Sequence, residues 1–272
     1  MRSSTPSLAY VVGLKACSIV LIFSEIALAV HLDKHRLVEV GSDWQPATAT
    51  WYGSPDGDGS EGGACGYGTL VKEKPFQSKV AAGSPALFEG GKGCGACYQV
   101  KCMENSVCSQ TAVTVVITDE CPGGICSGTG KIHFDLSGTS FSDMASPGTS
   151  SDLLNAGIVS ILFRRVPCEY PGNNIAFHVN EGATDHWFAF LVEYEDGDGD
   201  LGAVDLKQAN SDTWQGMQQI WGANWCLNSG PLQAPFSIRL QSLSTGRTLT
   251  ANNVIPQNWQ CHATYRSLVN YD

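Results

Sequence analysis

Charged residues are scarce in this sequence, and basic ones are the scarcer kind. Only 15% of its 272 residues are Asp, Glu, Lys or Arg, and 16 Lys and Arg stand against 26 Asp and Glu, which gives a formal net charge of −10. A nucleic-acid-binding protein needs basic side chains to meet the phosphate backbone. The composition therefore argues against nucleic acid as a partner and favours neutral or weakly charged polymers.

Long apolar runs are also rare, and the longest stands near the N-terminus. The run "ACSIVLIFSEIALAV" follows two basic residues and ends in a small-x-small site, Ala-Leu-Ala at 27–29. This pattern predicts a secretory signal peptide over residues 1–29, cleaved after Ala29. Glu25 interrupts the run, which argues against a membrane-spanning helix of about 20 apolar residues. We expect a secreted mature protein with no transmembrane segment, 14 basic and 25 acidic side chains, and a net charge of −11.

Internal repeats, low-complexity tracts and Asn-x-Ser/Thr glycosylation acceptors are absent, and helical patterns are nearly so. In the first half, short apolar stretches such as "AVTVVITD" and "GIVSILFRRV" alternate with glycine-rich turns, as in a small closed β barrel. One helix is predicted at "DLLNAG", with Ser150 or Ser151 as N-cap and Gly157 as its end. After residue 174, regularly spaced strands predict an antiparallel sandwich of about a hundred residues.

The predicted fold class is therefore all-β, with two domains. A signal peptide occupies 1–29, a barrel domain 44–167, a linker 168–175 and a β-sandwich domain 176–272.

Eleven cysteines become ten when Cys17 leaves with the signal peptide. An even number in an oxidising compartment indicates disulfides. Cys226 and Cys261 are the two that lie in the second half, so we expect them to pair with each other. The "CGAC" at 94–97 has no second CxxC and no paired histidines nearby, so no metal site is predicted.

One candidate functional residue stands out within a buried strand. In "KIHFDLSGTSF", residues 131–141, Phe134 and Leu136 alternate with His133 and Asp135. A carboxylate beside packed apolar residues is costly unless it is hydrogen-bonded or protonated. Asp135 is therefore either a structural hydrogen-bonding group or a working acid. His133 shares its face of the strand and is expected to pack or hydrogen-bond locally rather than form a catalytic dyad.

The second half contributes aromatic candidates and one acidic motif. In "HWFAFLVEYE" the Phe188 and Phe190 face is predicted core, while Trp187 lies on the more open face, where it either stacks on a sugar or caps the sandwich edge. Trp221 and Trp225, in "IWGANW", are predicted core. The "DGDGD" at 196–200 resembles a calcium loop but lacks the glutamate at the twelfth position, so a hairpin turn with surface charge is preferred.

Several motifs, in order along residues 47 to about 266, carry a family resemblance. They are "ATWYG", "GGACGYG", "GKGCGACYQVKC", "TDECPGG", "HFDLSGTSF", "NAGIVSILFRRVPCEYPG" and "PFSIRL". Together they resemble a plant β-expansin. The resemblance implies a six-stranded double-psi β barrel, similar to small inverting endoglucanases, followed by an immunoglobulin-like β sandwich. It also implies the disulfides Cys65–Cys94, Cys97–Cys168 and Cys102–Cys108. Cys121 and Cys126 lie in one loop, and we infer their pairing from proximity.

The same resemblance implies a glycan-binding groove. Thr50, Tyr52, Asp119 and Asp135 match its residues, although an aspartate at a strand end such as Asp119 often only caps a turn. Trp187 and Trp214 correspond to surface aromatics and, with Trp51 or Tyr52, are expected to form a long platform across both domains.

The expected chemistry follows from the carboxylates. Inverting hydrolysis needs an acid and a base about 6.5–9.5 Å apart. Asp135 matches the acid, but Ser54 stands where the related endoglucanases carry the base. Asp56, Asp58 and Glu61 follow in a turn-rich segment that would position a base poorly.

Three functions remain open at this point. The leading hypothesis is a non-hydrolytic protein of the plant cell wall that binds xylan, mixed-linkage glucan or cellulose and weakens contacts between polymers. The second is an endoglucanase with an unconventional base, and the third is a carbohydrate-binding or defence protein resembling barwin. No cofactor is expected, and the protein is expected to be a monomer.

Overall fold

The computed structural model describes residues 43–103, 106–128 and 130–272. The predicted signal peptide lies outside the described residues. Within them the all-β prediction is confirmed: a closed six-stranded barrel is followed by a sandwich of a four-stranded and a five-stranded sheet.

The barrel closes in the strand order β1-β5-β2-β4-β3-β6, with β6 pairing back onto β1. Strands β1 and β5 run parallel, as do β2 and β4, so neighbours in the barrel are mostly distant in sequence. Its strands are β1 Gln45–Tyr52, β2 Val80–Gly83, β3 Cys97–Cys102, β4 Val113–Glu120, β5 His133–Ser137 and β6 Val159–Arg165.

Short helices fill the barrel connections. They are α1 Pro85–Phe88, α2 Gly138–Asp143 and α3 Ser150–Ala156, with 3-10 turns at Gly68–Lys72, Glu89–Gly91 and Gly124–Cys126. Helix α3 is the one that the sequence predicts, but its N-cap is Thr149 and not Ser150 or Ser151. It begins at Ser150 after Thr149 and ends at Gly157, whose φ of +71° suits glycine. The other two helices are too short to show a periodic pattern in the sequence.

Alternation along β1 and β5 decides which side chains fill the barrel. Ala49, Phe134 and Leu136 point into the core and are fully buried. Their neighbours therefore point outward, because successive side chains of a strand lie on opposite faces. The β1–β5 register sets Thr50 beside Asp135, and this pair becomes the centre of a polar groove.

The sandwich follows the linker and has two sheets, ordered β10-β9-β13-β14 and β11-β12-β8-β7-β15. Its strands are β7 Ala176–Val179, β8 Trp187–Glu193, β9 Leu201–Lys207, β10 Trp214–Gly216, β11 Gln218–Trp221, β12 Asn224–Asn228, β13 Phe236–Ser242, β14 Thr248–Ile255 and β15 Thr264–Arg266. Phe177, Phe188, Phe190 and Phe236 are fully buried between the sheets. The inward face predicted for β8 is therefore core.

Four disulfides are present among the described residues, and all are in the first half of the sequence or at its boundary with the second. They are Cys65–Cys94, Cys97–Cys168, Cys102–Cys108 and Cys121–Cys126. The predicted pairing of Cys226 with Cys261 is wrong, because both are free thiols. Cys226 lies on β12, whereas Cys261 stands just before β15, three strands away in the same sheet. That separation, about 14 Å at the usual strand spacing, is far beyond disulfide reach.

The acidic "DGDGD" segment is a junction between the two domains, not the surface hairpin that the sequence suggested. Gly197 forms a two-way backbone bridge with Cys168, at N–O distances of 2.7 and 3.0 Å. Asp198 accepts hydrogen bonds from Ser242 and Thr245. Asp200 is buried and meets the Arg165 guanidinium of β6 at 3.0 Å. The Asp198 and Asp200 carboxylates therefore bind other groups of the protein instead of facing solvent.

Two carboxyl groups at this junction have raised pKa values because they are buried. Glu193, two residues after Leu191 on β8, has its pKa raised to about 7 by burial, against the opposing charge of Arg266. Burial also raises the pKa of Glu195 well above its usual range, and the Asp200 and Asp198 carboxylates add to the effect. Glu195 lines a cavity of about 20 Å³ between the domains, enough for one water molecule.

Candidate functional site

The groove is centred on a chain of four polar side chains on β1 and β5. The Thr50 hydroxyl donates to Asp135 Oδ1 at 2.6 Å. The same Thr50 oxygen lies 2.9 Å from His133 Nε2, and Thr48 Oγ1 lies 2.7 Å from His133 Nδ1. His133 thus hydrogen-bonds locally, and it reaches Asp135 only through Thr50. Asp135 is both hydrogen-bonded and open to the groove, so neither of its two predicted roles excludes the other.

Burial shifts both titrating groups of this chain toward their neutral forms. The pKa of the half-buried Asp135 carboxyl is raised, chiefly by desolvation; the Thr50 hydrogen bond opposes the rise and the Asp119 carboxylate adds to it. Burial lowers the pKa of His133 to about 4, with a smaller contribution from the Lys131 charge. In mildly acidic solution His133 is therefore neutral, and Asp135 holds its proton to a higher pH than an exposed aspartate does.

Two buried hydroxyls in the groove have no well-formed hydrogen bond among the described residues. They are Tyr52 Oη and Thr118 Oγ1. Burial and the Asp119 and Asp135 charges raise the pKa of the Tyr52 phenol, an effect that the nearby Thr118 hydroxyl only weakly opposes, so this group stays protonated. A buried hydroxyl without a partner is costly, and each such group calls for an explanation such as a ligand or ordered water. Both oxygens are shielded from solvent, and Thr118 lies close enough to Tyr52 to act on its pKa, so the two hydroxyls form part of the wall around Asp135.

Asp119 is the penultimate residue of β4, and its carboxylate bonds to backbone amides. Its Oδ1 accepts from the amides of Ala64, at 2.7 Å, and Glu120, at 2.8 Å. It thus fixes the "GGACGYG" loop, as the turn-capping alternative anticipated, while its charge still acts on Asp135.

Trp51 is turned away from Thr50 and Tyr52. Its indole N–H donates to the Leu154 carbonyl at 3.0 Å, and its ring lies 6.5 Å from that of the buried Phe141. Both contacts belong to helices α2 and α3, on the opposite face of β1. The structure thus brings Tyr52, but not Trp51, to the groove.

The acidic segment after Ser54 is exposed, and its carboxylates contact the segment's own backbone or the nearby Lys72. Asp56 is exposed, and hydrogen bonds led by that of the Ser54 side chain lower its pKa. Asp58 pairs with Lys72, and Glu61 accepts from the Gly59 amide at 3.1 Å. Asp119, not this segment, supplies the carboxylate charge felt at Asp135.

The prediction that Trp221 belongs to the core is wrong, whereas Trp225 is buried as predicted. Trp221 is 50% exposed. It lies against Gly66, where a Cβ would come within 2.7 Å of the indole. Gly222 is packed as closely, since a Cβ there would lie 2.5 Å from the Cys65 Cα. The sequence signal was the glycine after Trp221, which marks a turn rather than a strand interior.

Trp187 lies on the same sheet face as Trp221. Asn224 pairs with both Trp221 and Leu191, and directly opposed residues point to one face. Leu191 packs into the barrel core, which identifies this as the barrel-facing side. Trp187 precedes Leu191 by four residues on β8, which places it about 13 Å away. Together, the groove, Trp221 and Trp187 form what we call the barrel-side surface.

Trp214 lies elsewhere. It pairs with Lys207 on the outer face of the four-stranded sheet, the opposite side of the sandwich. Its ring is 4.7 Å from the Arg239 guanidinium and 5.1 Å from Lys207 Nζ. The structure thus places Trp187 and Trp221 on the barrel-facing side of the sandwich and Trp214 on the other, so the three tryptophans do not lie on one face.

No cluster of three or more His, Cys, Asp or Glu side chains fit to bind a metal ion occurs in the part of the chain that the structure describes. A search of the same residues for a helix with the length and hydropathy to cross a membrane found none.

The sequence has close relatives over most of its length. It is 58% identical over 237 residues to Expansin-B16 of Oryza sativa subsp. japonica, covering 87% of this chain and 86% of the relative. Identity to Expansin-B3 of Arabidopsis thaliana is 56% over 230 residues, 85% of this chain and 86% of that protein. This chain belongs to the expansin family. Residues 175–256 match the expansin C-terminal domain model, and residues 80–163 match a model described as lytic transglycolase.

Solved structures agree with the expansin assignment at the level of the fold. The apo expansin of Clavibacter michiganensis superposes with a TM-score of 0.63 at 20% identity, covering 84% of this chain and 98% of that one. A mutant of the same bacterial protein, solved in complex with cellohexaose, gives the same TM-score at 19% identity and the same coverage. The barrel followed by a sandwich is thus an expansin fold.

Proposed function

We propose that this expansin loosens plant cell walls by binding matrix polysaccharide along the barrel-side surface, without cutting it. Xylan, mixed-linkage glucan and cellulose are the candidate polymers, and the wall outside the cell is the proposed location. The observation that carries the proposal is the groove itself, where the half-buried Asp135 is hydrogen-bonded to Thr50 through Oδ1 and burial raises its pKa. The bacterial expansin crystallised with cellohexaose supports a glycan as the ligand class.

Loosening of this kind needs hydrogen-bonding groups that replace those between polymers. Protonated Asp135 offers an O–H donor, since Thr50 occupies its Oδ1 and not its Oδ2. A half-buried donor gains more from a sugar hydroxyl than an exposed one does, because water solvates it less well in the free protein. Trp221 and Trp187 add apolar ring faces to the same surface. The binding energy then offsets glycan–glycan contacts, and a stressed wall creeps.

The absence of cutting is inferred from the carboxylates. Ser54 stands at the position where the family of inverting endoglucanases carries its base, and Asp56, Asp58 and Glu61 are held in an exposed segment. Water activation needs a base fixed opposite the acid. Asp135 alone can hydrogen-bond a glycosidic oxygen, but the segment where the family resemblance places the base supplies no carboxylate fixed opposite it.

Asp119 favours a second candidate function, slow hydrolysis. Two backbone amides fix it, and it is close enough to raise the pKa of Asp135. A carboxylate held in place near the acid is the arrangement that an inverting hydrolase needs for its base. Against this, Asp119 Oδ1 is committed to the backbone. Release of reducing ends that continues with time and disappears in Asp119→Asn would favour hydrolysis and overturn the non-lytic proposal.

The first prediction concerns Asp135. Asp135→Asn keeps the shape and an acceptor for Thr50, but it replaces the acid O–H by a weaker amide donor. We expect creep of heat-inactivated plant walls under load to fall about tenfold, on the order of the loss of one buried hydrogen bond to the glycan. Reducing ends should stay at background for both proteins.

The matched control is Asp143→Asn. Asp143 is an exposed barrel carboxylate paired with Lys79 at 3.2 Å, on helix α2. Its variant should creep as the wild type does. Equal creep by wild type and Asp135→Asn would remove Asp135 from the mechanism.

The second prediction separates the two faces of the sandwich. Trp221→Ala should weaken adsorption to insoluble wall polysaccharide about tenfold, the loss of a stacking ring worth ~1.5 kcal/mol. Trp187→Ala should weaken it less, because Trp187 is less exposed than the half-exposed Trp221. Trp214→Ala serves as the control and should leave adsorption within about twofold, because its ring faces the other side. Depletion isotherms measure all three, and a larger loss in Trp214→Ala would reverse the assignment of the binding face.

A further inference from the structure

The hydrogen bonds among the four polar side chains of the groove all run in one direction, and the number of hydrogens that the groups carry decides which direction that is. Thr50 Oγ1 carries one hydrogen, and it contacts both Asp135 Oδ1 at 2.6 Å and His133 Nε2 at 2.9 Å. When Asp135 is ionised, the carboxylate can only accept, so the Thr50 hydrogen must point to it. Thr50 Oγ1 is then an acceptor toward His133, which requires the hydrogen of the neutral imidazole to be on Nε2.

The other end of the chain is consistent with that direction. With its hydrogen on Nε2, His133 has a bare Nδ1, and the Thr48 hydroxyl at 2.7 Å can donate to it. Hydrogen bonds then run from Thr48 to His133, from His133 to Thr50 and from Thr50 to Asp135. Each step satisfies one donor and one acceptor in a site where His133 is fully buried. A reversed chain is possible only if Asp135 carries a proton on Oδ1.

We propose that His133 is a positioning residue whose Nε2–H holds the Thr50 hydroxyl as a donor to Asp135 Oδ1, so that the acid proton of Asp135 is carried on Oδ2. Among the described residues, the hydrogen bonds to Asp135 reach Oδ1 alone. Oδ2 is therefore the oxygen left to meet a glycan. The proposal rests on the proposed function for its purpose, but its geometry can be tested without any glycan.

The charged and titratable neighbours of Asp135 are few. Asp119 approaches from β4 and raises its pKa, and Tyr52 on β1 is a neutral phenol. His133 lies two residues before it on β5, and Lys131 precedes that strand and acts on His133. From β2 the residue opposite is Ala82, which carries no charge. Apart from burial and the Asp119 charge, the hydrogen-bonded chain through Thr50 is therefore the main influence on the Asp135 pKa.

The first test reads the proton on His133 directly. The ring-nitrogen NMR shifts of the ¹⁵N-labelled mature protein should show a neutral Nε2–H imidazole at every pH above the His133 pKa of about 4, whether Asp135 is ionised or protonated. A switch to Nδ1–H as Asp135 takes up its proton would mean that the chain reverses and that the proton is on Oδ1. That result would overturn the proposal.

The second test uses two amide variants of the same class. In His133→Gln the side-chain nitrogen can reach the place of Nε2 and donate to Thr50. In His133→Asn the shorter amide can occupy only the place of Nδ1, beside Thr48. By side-chain ¹³C NMR, the Asp135 pKa should stay within about 0.2 unit of the wild type in the glutamine variant and rise by about half a unit in the asparagine variant.

Thr50→Val sets the scale, because it removes the donor itself, and the Asp135 pKa should rise by about one unit. Equal shifts in the glutamine and asparagine variants would show that His133 only fills space. The unfolding midpoint of each variant separates loss of fold from loss of the chain. Wall creep is scored separately: normal NMR behaviour with no creep would contradict the proposed function and leave the positioning role standing.

Discussion

Arg165→Met should lower the free energy of unfolding by about 3–5 kcal/mol, although Arg165 lies outside the groove. Its guanidinium is buried at the junction of barrel and sandwich. It bonds Tyr98 Oη at 3.1 Å, the Asp198 carbonyl at 2.7 Å and Asp200 Oδ2 at 3.0 Å. Removing it leaves the buried Asp200 charge without its cation, and that uncompensated charge, more than the lost contacts, accounts for the cost.

Arg239→Met is the matched control. Arg239 also pairs with an aspartate, Asp205, at 2.8 Å, but the side chains are 37% and 24% exposed, against 5% and 4% for Arg165 and Asp200. Water can solvate the partner left behind, so the expected loss is below about 1 kcal/mol. Denaturant titration of both variants measures the difference. Losses of equal size would mean that the Arg165–Asp200 pair contributes no more than a surface pair.

The sequence predicts most of this fold because the barrel and sandwich strands carry strong local patterns. Phe134 and Leu136 alternate with polar residues, and both are fully buried as the alternation requires. Helix α3 has a clear end at Gly157. The position of Asp135 also follows from the pattern, since an acid amid buried apolar residues already indicates a special environment. These signals are local, so a single sequence contains them.

What the sequence does not predict depends on contacts between distant segments. Trp221 sits in an apolar stretch typical of core, and its strand pairing with Asn224 and its contact with Gly66 show that it faces the barrel. The acidic 196–200 segment looks solvated until Arg165 is seen beside Asp200. Cys226 and Cys261 satisfy a parity argument, but strand order in the sheet separates them. Composition and periodicity do not indicate which strands become neighbours in a sheet.

The role of His133 shows the same limit within the groove. Its place two residues before Asp135 predicts local hydrogen bonding without naming the partners, and these come from the parallel neighbour β1. Thr48 and Thr50 stand opposite His133 and Asp135 in the β1–β5 register. That register joins residues 85 positions apart, and no local pattern reports it.

The second large effect is expected from the disulfide that ties the barrel to the junction. Cys97→Ala combined with Cys168→Ala should cost about 4 kcal/mol of stability, because the bond closes a loop with a sequence separation of 71. Cys121→Ala with Cys126→Ala is the control: its separation is 5, and the expected loss is about 2 kcal/mol. Denaturant unfolding of the two double variants under oxidising conditions measures both.

Loss of the Cys97–Cys168 bond should also affect binding, for a geometric reason. Cys168 bridges to Gly197, and Gly197 leads to the Asp198 and Asp200 contacts that fix the sandwich against the barrel. Under the proposed function one glycan contacts both the groove and Trp221, and the second contact then costs little extra entropy while the two domains keep their relation. The folded double variant should therefore adsorb to wall polysaccharide more weakly than the Cys121 and Cys126 control, by about tenfold under the same conditions. Equal adsorption by the two variants, each measured well below its unfolding midpoint, would mean that one domain alone holds the glycan.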